Sequence, residues 1–332
     1  MSVILAIESS CDDTSAAVCK DGKILANVTA SQVVHEEWGG VVPELASREH
    51  LKNIIIVVDA ALKKAGVDKK SLSAIAFTKG PGLVGSLMVG VSFAKSMALA
   101  LNIPLIDVHH MQAHIMANFI DALPDFPHIC LTISGGHTQL ILVKGINDME
   151  IVGETIDDAA GEAFDKIAKI LGLPYPGGPV LDKIAQTGNG KRFAFPDSKV
   201  DNFDFSFSGL KTSVLYFIQK EQKADTDFVE KNLADLCASV QQRIVTTLMK
   251  KLEKAASHYN VSSIALAGGV SANSEVRKSI HHLGSKNGWK VYIPQLQYCT
   301  DNAGMIAITA HYKYLNNQFC TQEVEPITRI SF

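Results

Sequence analysis

Two histidines four residues apart, His110 and His114, stand in the run Asp107-Val108-His109-His110-Met111-Gln112-Ala113-His114. If that run is helical, both imidazoles project from one face and can grip a single metal ion. Pro104 to Val108 is a short apolar run that reads as a buried strand, so the histidines begin a helix at a strand end. A metalloprotease uses the same spacing, but its H-E-x-x-H signature needs glutamate directly after the first histidine as general base. Met111 holds that place, and the protease reading is rejected.

Three glycine-bearing turns could hold a phosphate or a nucleotide. Ser134-Gly135-Gly136-His137-Thr138 lies between two apolar runs, where glycines let successive backbone N–H groups approach an anion. Ser9 to Ser15 is polar and sits at the matching place in the first half of the chain. Gly268-Gly269-Val270-Ser271-Ala272-Asn273 follows an apolar run and opens a helix, with Asn273 as a cap and the helix dipole favouring a polar ligand. Asp165, in a helical segment at about 161–171, and Asp182 are carboxylates suited to ribose hydroxyls. Asp182 follows Pro176-Gly177-Gly178-Pro179, a stretch too rich in glycine and proline to expect a regular element.

The elements that position these residues repeat. The first half reads as three strands, a helix from Pro43 ending at Gly66, a strand at 74–78, an apolar helix and a strand at 105–108. The second half opens with strands at 129–133, 139–143 and 149–152. Helices follow at about 161–171, 180–187 and 227–258, then a strand at 263–267, a helix, a strand at 290–293 and a closing helix after Asp301. So βββαβαβ occurs twice, the second time with insertions, and such a repeat sets the fold class. The expectation is an α/β protein of two ribonuclease-H-like lobes facing a central cleft, as in the actin, sugar-kinase and Hsp70 (ASKHA) superfamily. Residues 1–108 would form the N-terminal lobe, completed by the C-terminal helix at about 302–332, and residues 109–301 the C-terminal lobe. His110 and Asp301 each lie just past the last strand of a half. Facing lobes would bring them together as a two-histidine, one-carboxylate set with positions open for substrate. Residues 192–210 hold five phenylalanines and read as a packed loop.

With 332 residues, 20% charged and a net charge of −3, the chain is not one that holds nucleic acid by bulk electrostatics. Its six cysteines form no C-x-x-C pair, which places it in a reducing cytoplasm. The start lacks the basic region of a signal peptide, and the apolar window at 81–103, broken by Lys95 and three glycines, reads as a buried helix and not a membrane span.

The residues now meet a known family. The chain resembles the TsaD/YgjD/Gcp tRNA threonylcarbamoyladenosine transferases, whose archaeal and eukaryotic relatives sit in the KEOPS complex. The resemblance spans nearly the whole chain. It rests on the segments 7–14 (IESSCDDT), 39–48 (GGVVPELASR), 80–83 (GPGL), 109–114 (HHMQAH), 134–138 (SGGHT), 161–166 (GEAFDK), 207–212 (FSGLKT) and 268–273 (GGVSAN). Trp38, where tyrosine is expected, and Asp13, where glutamate is frequent, depart mildly from the pattern. The resemblance implies transfer of a threonylcarbamoyl group from threonylcarbamoyl-AMP to N6 of the adenosine 3′ of the anticodon, in tRNAs reading codons that begin with A. It implies that His110, His114 and Asp301 bind iron or zinc, that Ser134 to Thr138 hold the acyl-phosphate side, and that Asp165, Gly178, Asp182 and Asn273 hold the adenosine, with magnesium accompanying a bound nucleotide. Asp12 is the acid expected to be needed for activity. The partners implied are a TsaB-like paralogue and a TsaE-like ATPase, with the helix at 84–101 as the dimer face. A small-molecule kinase or ATPase of the same fold is the competing reading; it needs magnesium and a base but no His–His–Asp set.

Overall fold

Val3–Glu8 is apolar until its last residue, and all of it but Val3 is buried. This strand, β1, is the centre of the first sheet in the structure, a computed structural model that describes residues 2–198, 200–330 and 332. Met1, Lys199 and Ser331 lie outside the described residues. Strands β2 (Asp13–Lys20) and β3 (Lys23–Ser31) follow, joined through Asp21 and Gly22, both at positive φ as a tight hairpin turn requires. Helix α1 (Pro43–Ala65) starts with proline in its first turn and ends at Gly66 in the left-handed conformation. Then come β4 (Ala74–Gly80), α2 (Val84–Leu101), β5 (Leu105–His109) and α3 (His110–Met116). The sheet order is β3-β2-β1-β4-β5, with β1, β4 and β5 parallel and the hairpin antiparallel to β1.

The second half repeats the plan with β6 (His128–Ile133), β7 (Thr138–Gly145) and β8 (Asp148–Glu154). Helices α4 (Ala160–Ile170), α5 (Gly177–Ala185), α6 (Ser208–Gln222) and α7 (Phe228–His258) come next. Strand β9 (Ser263–Ala267), α8 (Ser274–Asn287) and β10 (Lys290–Tyr292) complete it. Its order, β8-β7-β6-β9-β10, matches the first sheet strand for strand. The closing helix is α9 (Ala303–Leu315).

The chain divides into two compact units, residues 1–123 with 294–332, and residues 124–293. The expected boundaries at 108/109 and 301/302 therefore shift. The histidine helix α3 and the Pro294–Asp301 segment both belong to the first unit, because α9 packs against α3 and the first sheet. Ala303, Met305, Ile306 and Ala310 of α9 are buried with Ile4, Ala6, Ala17 and Val108. Polar ties fix its start: Ala303 N donates to Ser15 Oγ at 2.9 Å and Gly304 N to Asn27 Oδ1 at 3.0 Å.

Three local readings are corrected. Gly177-Gly178-Pro179 opens α5 as regular helix, since a first turn has no intrahelical use for the N–H that proline lacks. Helix α6 was not foreseen: Ser, Thr, Val, Tyr and Phe dilute its propensity, but Leu210, Val214 and Ile218 at four-residue spacing supply its buried stripe. Helix α2 buries Leu87, Val91, Ala94 and Ala98 but leaves Val84, Met88 and Leu99 exposed, so it is buried on one face only. It is the one helix among the described residues long and apolar enough to cross a membrane, and a third of it is buried.

His50, on α1, is fully buried and holds the turn after β1. Its Nε2–H donates to Cys11 O at 2.9 Å, and its Nδ1 accepts from Thr14 Oγ1 at 2.7 Å, a pairing that needs the neutral ring. Burial pulls its pKa below the ordinary histidine value. The unfolded chain then binds the proton first, so this contribution to stability is whole above about pH 6.5 and is lost as pH falls below it. His50→Gln is expected to flatten the slope of unfolding free energy between pH 5 and 6.5 by up to about 1.4 kcal/mol per pH unit. Denaturant titrations across that range test this; an unchanged slope would contradict it.

Candidate functional site

The ends of three parallel strands meet in the first unit. β1 ends at Glu8, β4 carries Thr78 near its end, and β5 runs into His110. Carboxyl ends of parallel strands are where open α/β sheets place ligand-binding groups. His109 Nδ1 accepts from Gln112 N at 3.4 Å and caps α3, which accounts for the third histidine of the motif. One turn of α3 then separates His110 from His114, whose rings meet edge to face at 4.7 Å between centroids. Asp301 Oδ1 lies 3.2 Å from His114 Nε2 and 3.5 Å from His110 Nε2. The capped start of α9 fixes it there: Asn302, next in sequence, accepts from Met305 N at 3.0 Å.

These three residues fit a metal ion. One ligand atom from each lies within 4.8 Å of the others. Ligands about 2.1 Å from a tetrahedral ion sit about 3.4 Å apart, close to both His–Asp spacings. The charge balance points the same way. Fully buried Glu8 and three-quarters-buried Asp301 are two carboxylates whose ion pairs, among the described residues, are made with these histidines alone. Burial would pull the His110 imidazole down, but Asp301 and Glu8 together hold it well above its ordinary range. Burial likewise opposes the charge on Asp301, and His110 outweighs it, keeping that carboxylate well below its usual range. The cluster favours a positive charge, whether a proton or a metal cation.

Asp12 lies half-buried in the turn between β1 and β2 of the same unit. Asp13, the first residue of β2, is pushed up to about 7 by burial against the opposing hydrogen bond of Ser31. Glu8 was missed from sequence, although a carboxylate closing an otherwise apolar buried strand is a signal, since such a charge must be paired.

In the second unit the expected nucleotide residues come together around the ends of β6 and β9. In the Ser134–Thr138 turn, Ser134 N donates to His137 O at 2.8 Å, and Thr138 Oγ1 accepts from Ala160 N at 2.8 Å, at the start of α4. Gly135 and Gly136 are exposed, and neither has positive φ. A Cβ on either would meet nothing within 4 Å. Nothing in the unit itself demands glycine there, whereas close approach of a ligand to the backbone would. Asp165, one turn along α4 from Gly161, accepts from Gly178 N at 2.8 Å, and burial raises its pKa. Gly178 and Asp182 lie one turn apart on α5, and Asp182 accepts from Ser274 N at 3.0 Å and from Ser274 Oγ at 2.7 Å. Asn273 accepts from Glu275 N and Val276 N, capping α8, and its amide donates to buried Gln241 Oε1 at 2.9 Å. Ser271 Oγ in the same turn is buried without a hydrogen-bond partner.

Two sheets of one strand order, with their polar residues gathered at strand ends, define an ASKHA-class α/β protein that carries a His–His–carboxylate set. Solved structures share the fold. Full-length HypF in a phosphate- and nucleotide-bound form matches 96% of this chain and 47% of its own, with a TM-score of 0.65 and 13% identity. Component A of (R)-2-hydroxyglutaryl-CoA dehydratase from Acidaminococcus fermentans covers 95% of this chain and all of its own, at 0.56 and 16%. At the level of sequence, the family model for tRNA N6-adenosine threonylcarbamoyltransferase (TsaD) matches residues 23–308. Relatives bearing that name are 58% identical in Christiangramia forsetii, covering 99% of this chain and 98% of theirs, and 56% identical in Phocaeicola vulgatus, covering 99% of both. The chain belongs to the tRNA N6-adenosine threonylcarbamoyltransferase family.

Asn273 is expected to serve stability as well as binding. Asn273→Ala removes the α8 cap and a partner of Gln241, at a cost of about 1 to 2 kcal/mol. Chemical denaturation measures this, and a change below about 0.3 kcal/mol would mean that the cap is not used.

Proposed function

We infer that this chain transfers a threonylcarbamoyl group to N6 of adenosine in tRNA, taking it from threonylcarbamoyl-AMP and delivering it 3′ of the anticodon in tRNAs reading codons that begin with A. The observation that carries the reading is the His110–His114–Asp301 set, with both histidines buried, in a chain of this family. A kinase or ATPase of the same fold has no use for such a set.

An exocyclic aromatic amine is a weak nucleophile, and the adenylate supplies a good leaving group. The step forms the N6–carbonyl bond, breaks the acyl–phosphate bond, and releases AMP and the amine proton. When bound by His110, His114 and Asp301, a transition metal, iron or zinc, would polarise the carbamoyl carbonyl as a Lewis acid. Gly135 and Gly136 would present backbone N–H groups to the acyl-phosphate, and Ser134, His137 and Thr138 shape that turn. Asp165 and Gly178, already bonded to each other, with Asp182 and Asn273 would hold the adenosine and any magnesium-bound nucleotide. Asp12 remains our candidate acid of the first turn. Bound reactants held in place supply the proximity that a weak nucleophile needs.

A net charge of −3 supports assembly with partners that help hold tRNA. We propose a TsaB-like paralogue on the first unit, with a TsaE-like ATPase joining them. Exposed Val84, Met88 and Leu99 on α2, beside exposed Leu51, Ile55 and Ile56 on neighbouring α1, form the apolar face such a paralogue would cover. All six cysteines are free, which suits the cytoplasm where tRNA is modified.

Reconstitution with threonylcarbamoyl-AMP, tRNA and the two partners is expected to yield modified adenosine, read by nucleoside mass. His110→Ala is expected to reduce the rate by roughly 100-fold or more. Wild-type rates in His110→Ala would remove the metal site from the reaction, and many turnovers by the chain alone would remove the need for partners.

A further inference from the structure

Glu8 is the last residue of β1, fully buried, and separate from the His–His–Asp set. Its Oε1 accepts from Ser10 N, and its Oε2 accepts from Thr78 Oγ1 on the neighbouring strand. That same Oε2 lies 3.1 Å from His110 Nδ1, and Ser10 Oγ stands 3.2 Å from the same nitrogen. Both oxygens of the carboxylate are thus fixed by donors, and the third contact falls on the ring nitrogen of His110 that faces away from Asp301. His114 differs: its Nδ1 is buried with no hydrogen-bond partner.

We propose that Glu8 is the positioning residue of this centre: it accepts from His110 Nδ1–H and so turns an unprotonated Nε2 toward the position shared with His114 and Asp301. The inference rests on the metal reading above and adds to it a residue that touches neither metal nor substrate. Metal-bound histidines commonly donate their other ring N–H to a carboxylate, which sets the ring's orientation and raises its basicity. Here the carboxylate comes from the central strand, so the centre's geometry is tied to the register of the sheet. The ring of His110 is held at Nδ1 before any metal arrives, whereas His114 has no hydrogen-bond partner at Nδ1 and is fixed by packing and by the contact of its Nε2 with Asp301.

A glutamine at this position reverses the arrangement. Ser10 N–H can only donate, so it claims the amide oxygen and leaves the NH2 facing Thr78 and His110. Thr78 can rotate its hydroxyl to accept, but His110 must accept at Nδ1, which moves its proton to Nε2 and blocks the ligating atom. Glu8→Gln keeps the side-chain volume and removes a buried charge, so the metal-free fold is expected to melt no lower than wild type.

The test is a competition titration of Co(II) against a chromophoric chelator on the metal-free full chain, with the cobalt absorption spectrum as a second readout. Wild type, Glu8→Gln, Thr78→Val and His114→Ala are compared, and thermal melting of the metal-free forms is recorded. Glu8→Gln is expected to bind about 10- to 100-fold more weakly with an altered spectrum and an unshifted or raised melting temperature. Thr78→Val, which removes one donor from the same oxygen at almost constant volume, is expected to weaken binding by about threefold, and it carries the test if Glu8→Gln does not fold. Glu8→Gln affinity within about twofold of wild type, or unchanged Thr78→Val affinity where only that variant folds, overturns the proposal while leaving the metal site standing. Wild-type affinity in His114→Ala removes the metal site itself, and the role of Glu8 with it.

Discussion

Two carboxylates, fully buried Glu8 and three-quarters-buried Asp301, face two imidazoles, and no lysine or arginine among the described residues pairs with either acid. Uncompensated charge in such a place is costly, so the cluster must recruit a cation. The two carboxylates together hold the His110 imidazole well above its ordinary range, and a metal on the same ring would meet the same need. The first unit is arranged around this requirement. β1 brings Glu8, β5 and α3 bring the histidines, and the chain returns after Pro294 to bring Asp301.

The second unit solves a different problem with the same sheet. Among its described residues it carries no comparable buried charge cluster at its strand ends, but backbone amides, helix starts and singly held carboxylates. Asp165 on Gly178 and Asp182 on Ser274 hold helix starts in place. One topology thus gathers a buried charge cluster at its strand ends in one copy and backbone amides with singly held carboxylates in the other. The difference lies in which residues end or follow each strand: Glu8 and His110 in the first, Ser134 and Gly268 in the second.

Much of this was legible from residue order. The i, i+4 histidines, the hairpin at Asp21-Gly22, Gly66 at a helix end and the doubled βββαβαβ order are short-range patterns, and the structure reproduces them. Asp301 does lie past β10, the strand of the second sheet that matches β5, but from Pro294 on the chain packs in the same unit as the histidines, so their pairing needs no facing of the two halves. Glu8 escaped notice because its role depends on which strand lies beside β1, and Thr78 is 70 residues away. The opening turn of α5 and the whole of α6 escaped because glycine, proline and β-branched residues mask helices that tertiary burial stabilises.

X-ray absorption spectroscopy of the full chain loaded with zinc or iron tests the central claim most directly, because it reads the ligands and not the consequences of losing them. Two imidazole nitrogens and a carboxylate oxygen at about 2.0–2.2 Å, with the imidazole signal halved in His114→Ala, is the spectrum the structure requires. A sulfur shell at about 2.3 Å, as half-buried Cys11, which feels the charges of Asp301 and Glu8, would give, or a first shell without imidazole, would contradict it.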